Sequence, residues 1–158
     1  SLPALLMYAG GLMANDAAKE RVLTIFLRGR RLDEIRQLSR RFAEERIERT
    51  LRPEAVARLH GHQKQGHHCV LVSATLAVYL EPWAEHAGFE AVLATELEVD
   101  AQGLLTGRMA TANCYGPEKA ARLRRHFGVE RIKAAYGDSA GDREMLAMAD
   151  SPGYRPWH

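Results

Sequence analysis

Asp138 and Asp142 stand four residues apart in the run Tyr136-Gly137-Asp138-Ser139-Ala140-Gly141-Asp142, directly behind the apolar stretch Ile132 to Tyr136. A short apolar run of this kind predicts a buried strand ending in a tight turn, with an amphipathic helix after it. Carboxylates at the C-terminal end of a strand in an α/β sheet suit a hard, oxygen-seeking cation. Ser73 closes an earlier apolar run, Cys69-Val70-Leu71-Val72. Its hydroxyl and the neighbouring backbone N–H groups, that of Ala74 included, could take an anion. Lys119 opens a helix behind Asn113-Cys114-Tyr115-Gly116-Pro117, and a cation at a helix N-terminus favours a phosphate. Singly, each residue also has an ordinary use as a turn, a cap or a solvated charge. Their order carries the weight, because strand ends of a parallel sheet share one edge where such groups can converge.

The elements that must position them alternate in texture. Up to about Leu51 the chain shows helical period and no strand signal. The apolar Leu2 to Leu12 segment reads as a helix. Asn15 or Asp16 can cap another that carries Val22, Ile25 and Phe26 on one side and stops at Gly29. Leu32, Ile35, Leu38 and Phe42 recur at spacings of three and four, a further amphipathic helix. Pro53 suits a first helical turn, and Gly66 closes the segment it opens. From His68 onward strands and helices alternate. They read as a strand to Ser73-Ala74-Thr75, a helix through Tyr79 and Trp83 bent or delayed by Pro82, and a strand over Ala91 to Val99. A turn at Asp100-Ala101-Gln102-Gly103 and a return strand over Leu104 to Met109 follow. The helix from Glu118 to Phe127 ends at Gly128, ahead of the Ile132 to Tyr136 strand. The alternation predicts an α/β fold with an open, mostly parallel sheet. The boundary falls at residues 1–52 for a helical unit and 53–158 for the α/β unit, and the tail from Ser151 is too short to promise a further edge strand.

The motif order resembles the haloacid dehalogenase superfamily, in its phosphoserine-phosphatase-like branch with a helical cap. Val70-Leu71-Val72-Ser73-Ala74 is similar to that family's second motif, Gly116-Pro117-Glu118-Lys119 to its third, and Gly137-Asp138-Ser139-Ala140-Gly141-Asp142 to its acidic fourth. The resemblance implies a Rossmann-like core with the cap inserted on its N-terminal side, and a phosphoric monoester hydrolase using Mg2+ on a small-molecule phosphomonoester. It makes Asp138 and Asp142 the metal-holding carboxylates, with Asp142 completing or buttressing the site. Ser73 and Ala74 would bind the phosphoryl group, and Lys119 would neutralise its charge. Lys119, Asp138 and Asp142 are then the catalytic residues of this chain.

The departures from the family pattern are equally specific. Its first motif, DxDx[TV], supplies the aspartyl nucleophile and a general acid, and no Asp in this sequence has a second Asp two residues on. The resemblance therefore implies a nucleophile upstream of Ser1, a core whose first strand is missing, and no turnover by this chain alone. That strand would lie between those ending at Ser73 and Tyr136, so these two would face a gap or pair with each other. An inactive relative that keeps the phosphate and metal contacts as a binding module is the alternative. Gly141 stands where phosphoserine phosphatases carry Asn, so serine-phosphate specificity is not implied.

Composition narrows the partners. The net charge is +2 over 158 residues, and the N-terminal arginines interleave with Asp33, Glu34, Glu44, Glu45 and Glu48. This is a solvated helix face and argues against nucleic acid or an anionic membrane. Arg28, Arg30 or Arg36 could meet an anionic substrate. No apolar run approaches the roughly 18 residues that span a bilayer. Cys69 and Cys114 form no CxxC pair and read as reduced thiols, an expectation of a cytoplasmic protein. His60, His62, His67 and His68 lack zinc-ligand spacing and read as solvated or locally packed. Oligomeric state has no signal here.

Overall fold

The computed structural model describes residues 15–157; the helix expected over Leu2 to Leu12 lies outside them. The first described helix, α1 (Asp16–Leu27), starts where Asn15 Oδ1 accepts the Ala18 N–H at 3.0 Å. It ends ahead of Gly29, whose φ of 79° only glycine adopts without strain. Its buried face is Lys19, Leu23 and Leu27. The face expected from Val22, Ile25 and Phe26 is corrected in part: Phe26 packs against the core that holds Leu23 and Leu27, but Ile25 is 68% exposed. Leu23 and Leu27 fall on one stripe at a spacing of four, and Ile25 points off it.

Helix α2 (Leu32–Phe42) buries Ile35 and Ser39, then widens into a π-helical turn at Ala43–Ile47 and a last turn, α3 (Glu48–Thr50). Leu51 and Arg52 are extended, and α4 (Pro53–Lys64) starts on its proline. Strand β1 (Val70–Leu76) leads into α5 (Ala77–His86), which carries Pro82 inside it. The single strand expected over Ala91 to Val99 is two. β2 (Ala91–Thr95) pairs in parallel with β1, and β3 (Leu97–Val99) turns away into an antiparallel hairpin with β4 (Leu105–Met109). The hairpin turn is built by Asp100, whose Oδ1 accepts the N–H groups of Gln102 and Leu104, each at 2.9 Å.

Helix α6 (Pro117–Phe127) ends on left-handed Gly128. Strand β5 (Ile132–Gly137), a 3-10 turn at Ala140–Asp142 and the short α7 (Arg143–Ala147) follow. The chain then forms β6 (Ala149–Tyr154), in parallel with β5. The expectation that the tail would give no edge strand is corrected here. Pro152 and Gly153 argue against a strand interior, but at a sheet edge a proline leaves no ladder bond unmade that a neighbour requires.

The described strands form three two-stranded sheets, β1 with β2, β3 with β4, and β5 with β6. Of the two arrangements expected for β1 and β5, direct pairing is not found among the described residues. The fold is α/β, with two parallel pairs and one antiparallel hairpin. Two apolar clusters hold it together. Leu93, Ala120, Leu123, Ala135, Met145, Leu146, Met148 and Ala149 join α6 and α7 to both parallel pairs. Leu23, Leu27, Ile35, Leu76, Val78, Tyr79 and Leu105 join α1 and α2 to the end of β1, α5 and the hairpin. Burying each such leucine contributes about 1.5–3 kcal/mol. The helices before Pro53 thus share their core with the strands that follow.

Candidate functional site

The strand end at β5 is shaped by two glycines. A Cβ at Gly137 would come within 2.5 Å of Asp142 Cβ, and one at Gly141 within 2.5 Å of the Tyr115 ring. The chain can therefore close the Gly137-to-Asp142 turn only around residues without side chains at those points. Asp142 Oδ2 accepts the backbone N–H groups of Asp138 at 3.1 Å and Ser139 at 3.0 Å, and the Ser139 hydroxyl at 2.8 Å. These bonds fold the turn and present Asp138 at its exposed tip. From the other side, Arg155 follows β6, and its Nε donates to the Asp138 carbonyl at 3.1 Å while its own N–H donates to Gly137 O at 2.8 Å.

The second oxygen of Asp142 meets Lys119. Lys119 Nζ donates to Asp142 Oδ1 at 2.5 Å, and the two residues are 7% and 4% exposed. Burial alone would raise the Asp142 carboxyl; the bonds from Lys119 and Ser139 outweigh it and hold it below the usual carboxylate range. Lys119 is in the first turn of α6, whose start is seated on the same turn by Gly116 N–H donating to Gly141 O at 3.0 Å. Lys119 and Asp142, 23 residues apart, are thus brought together as expected. With Oδ1 taken by an ammonium and Oδ2 by three donors, Asp142 sits as a buttress and Asp138 as the outward carboxylate.

At the β1 end the strand does not stop at Ser73. It continues to Leu76 through a register shift between Ser73, opposite Ala94, and Leu76, opposite Thr95. Within this bulge the Thr75 N–H donates to Ser73 Oγ at 3.1 Å, which leaves the hydroxyl proton to be given elsewhere. The Ala74 carbonyl accepts Lys19 Nζ at 2.5 Å and lies 3.1 Å from Thr95 Oγ1. Helix α6 reaches this side too. Arg122, only 8% exposed, donates to Ala94 O and, at 2.5 Å, to Ala112 O, and pairs with Glu118 at 3.0 Å. Asn113 and Cys114 complete the connection, with the Cys114 N–H on Thr95 Oγ1 at 3.1 Å and its buried thiol on Leu93 O at 3.3 Å.

Sequence reasoning missed Lys19, Thr95 and Asn113. Lys19 falls four and eight residues before Leu23 and Leu27 on the buried stripe of α1, a spacing that points to it only once that stripe is known. Of the arginines considered for substrate, Arg30 pairs with Glu34, and Arg36 with Asp33 at 3.3 Å. Of the histidines, His62 bridges His67 and Tyr136 at 2.9 Å each, and His68 pairs with Glu90. Among the described residues no three His, Cys, Asp or Glu side chains converge. No described helix is long and apolar enough to cross a membrane. The donors at the turn are carboxylate and carbonyl oxygens, a set suited to a hard divalent cation that keeps most of its waters.

The model of the haloacid dehalogenase-like hydrolase family matches residues 1–147. Protein CicA of Caulobacter vibrioides is 40% identical over 131 residues, covering 82% of this chain and 59% of CicA; the chain thus spans less than two thirds of that relative. A crystal structure of a protein of unknown function from Bordetella pertussis Tohama I superposes with a TM-score of 0.77 at 26% identity, over 93% of this chain and 69% of that one. A substrate-bound phosphoserine phosphatase superposes with a TM-score of 0.60 at 15% identity, over 89% and 67%, a likeness of fold. Matched by that family's model over residues 1–147, the chain belongs to the haloacid dehalogenase-like hydrolase family.

Proposed function

We propose that this chain is the phosphate- and metal-holding part of a phosphoric monoester hydrolase, acting on a small-molecule phosphomonoester. The observation that carries it is the buried Lys119–Asp142 pair, which fixes an ammonium beside a turn that presents a second carboxylate, Asp138. Phosphoryl transfer needs positioned charge above all. Lys119 has one N–H committed to Asp142 and two more to direct at phosphoryl oxygens. Ser73 gives its hydroxyl proton to another, and the Ala74 N–H lies beside it. Asp138, with its own carbonyl held by Arg155, is the residue that would hold Mg2+, which when bound supplies charge neutralisation at the phosphoryl group.

The nucleophile is an aspartate upstream of Ser1. Its carboxylate oxygen attacks phosphorus, the P–O bond to the substrate alcohol breaks, and the alcohol leaves with a proton from a neighbouring acid. Water then cleaves the aspartyl phosphate, releasing inorganic phosphate and restoring the carboxylate. Phosphatase assays on this chain and on the full-length protein that carries it test the reading. Turnover of p-nitrophenyl phosphate is expected only from the longer protein, and Asp138→Asn in that protein should abolish Mg2+-dependent turnover. Activity in the chain of 158 residues would refute the upstream nucleophile. An inactive full-length protein that still binds phosphate would make this a binding module.

A further inference from the structure

Lys19 is a buried cation that the proposed chemistry leaves unused. It is 7% exposed, on α1, and its three hydrogen bonds all reach residues far along the chain. Nζ donates to the Ala74 carbonyl at 2.5 Å, Thr95 Oγ1 at 3.1 Å and Asn113 Oδ1 at 2.8 Å. The acceptors are themselves held. Thr95 is fully buried and also accepts the Cys114 N–H, and Asn113 Nδ2 donates to Asp16 Oδ1 at 3.0 Å. Burial desolvates the ammonium, and three acceptors in fixed places offset part of that cost.

The Ala74 carbonyl shares a planar peptide with the Thr75 N–H, and the two point in opposite directions. Fixing the carbonyl therefore fixes the N–H, and that N–H donates to Ser73 Oγ. We propose that Lys19 is a positioning residue for the Ser73 hydroxyl, acting through the Ala74–Thr75 peptide. The role rests on the reading of Ser73 as a phosphate ligand. It also ties the first described helix to the strand-end bulge, so that the placement of α1 and the aim of the hydroxyl are one geometric variable.

The charge of Lys19 can be removed without mutation. Burial lowers its pKa to about 8; Asp16 and Cys114 favour the charge, and Arg122 opposes it. Above that pH the amine has two N–H donors for three acceptors.

The test has two arms on the full-length protein. The first is amide hydrogen exchange at Thr75, which needs no ligand. Lys19→Met should raise it about tenfold relative to the chain average, one hydrogen bond's worth of protection. Lys19→Arg, which keeps the donors, should restore part of it. Unchanged Thr75 exchange in Lys19→Met overturns the proposal. The second arm is calorimetric titration with inorganic phosphate. Lys19→Met and Ser73→Ala should each weaken binding about tenfold, and the double variant no further, because both act on one contact. An additive loss of about a hundredfold would show that Lys19 acts elsewhere. Should Lys19→Met fail to fold, the wild type carried through pH 8 gives the same readings. Thr75 exchange, corrected for base catalysis, must then rise and phosphate affinity fall. If the wild type binds no phosphate at all, the functional reading of Ser73 fails, while Thr75 exchange still decides the role of Lys19.

Discussion

Replacing Asp142 by asparagine removes one charge from a site where little solvent can respond. Lys119 and Asp142 are 7% and 4% exposed, so water cannot screen the ammonium left behind. The amide oxygen of the new side chain can keep the donors of Ser139 and Asp138, but its NH2 must then face Lys119 Nζ, a donor against a donor. Removing one partner of a buried pair costs about 3–5 kcal/mol. For a chain of this size that corresponds to a fall in Tm of roughly 10 °C. Urea unfolding near neutral pH measures the loss directly. Adding Lys119→Met removes the stranded charge and should return about half of it, since a pair replaced by neutral groups of similar shape is close to neutral. The acid limb gives an independent reading. The Asp142 carboxyl lies below its ordinary value of 3.8, so its contribution is present above that pH and is lost as the pH falls through the folded-state value. Asp142→Asn should lack that part of the acid transition. A cost below about 1 kcal/mol, the size of an exposed pair, or a double variant no better than the single, would refute the claim that the pair is buried and interdependent.

Other expectations follow from the same contacts. Gly141→Ala places a methyl group 2.5 Å from the Tyr115 ring and should cost about 1–3 kcal/mol; Tyr115→Ala in the same chain should relieve part of it, read by the same unfolding curves. Asn15→Ala removes the cap on α1 and should cost about 1 kcal/mol, with thermal unfolding as the check. In the wild type the folded-state pKa of Lys19, about 8, lies below the unfolded lysine value of 10.5. Stability should therefore rise across that window, because there the unfolded state binds the Lys19 proton and the folded state does not. Lys19→Met should show no such rise in pH-dependent unfolding.

The chain order of Ser73, Lys119, Asp138 and Asp142 was readable because each follows a strand or opens a helix, where the backbone limits what a polar side chain can meet. Lys119 and Asp142 do pair. Three features were not readable for physical reasons. The run from Ala91 to Val99 carries no turn residue, so nothing local marks where β2 leaves β1 and the hairpin begins; pairing partners decide that. Pro152 and Gly153 have poor strand propensity, and β6 forms because β5 offers a parallel edge. Lys19 looks like a solvated helix charge until tertiary contacts with residues 55 to 94 positions away bury it.

Helix α6 touches both parallel strand pairs within one turn. Lys119 grips the loop after β5, and Arg122, three residues on, grips the Ala94 carbonyl of β2. Residues three apart on an α-helix are separated by about 4.5 Å along its axis. Among the described residues the two pairs share no ladder of hydrogen bonds, so no sheet register sets the distance between the Ser73 side and the Asp138 side. The rise from Lys119 to Arg122, with the apolar cluster packed around it, spans that distance instead. That turn works as a caliper, and a residue inserted or deleted between Lys119 and Arg122 would reset the opening of the site while leaving every side chain of the site in the sequence.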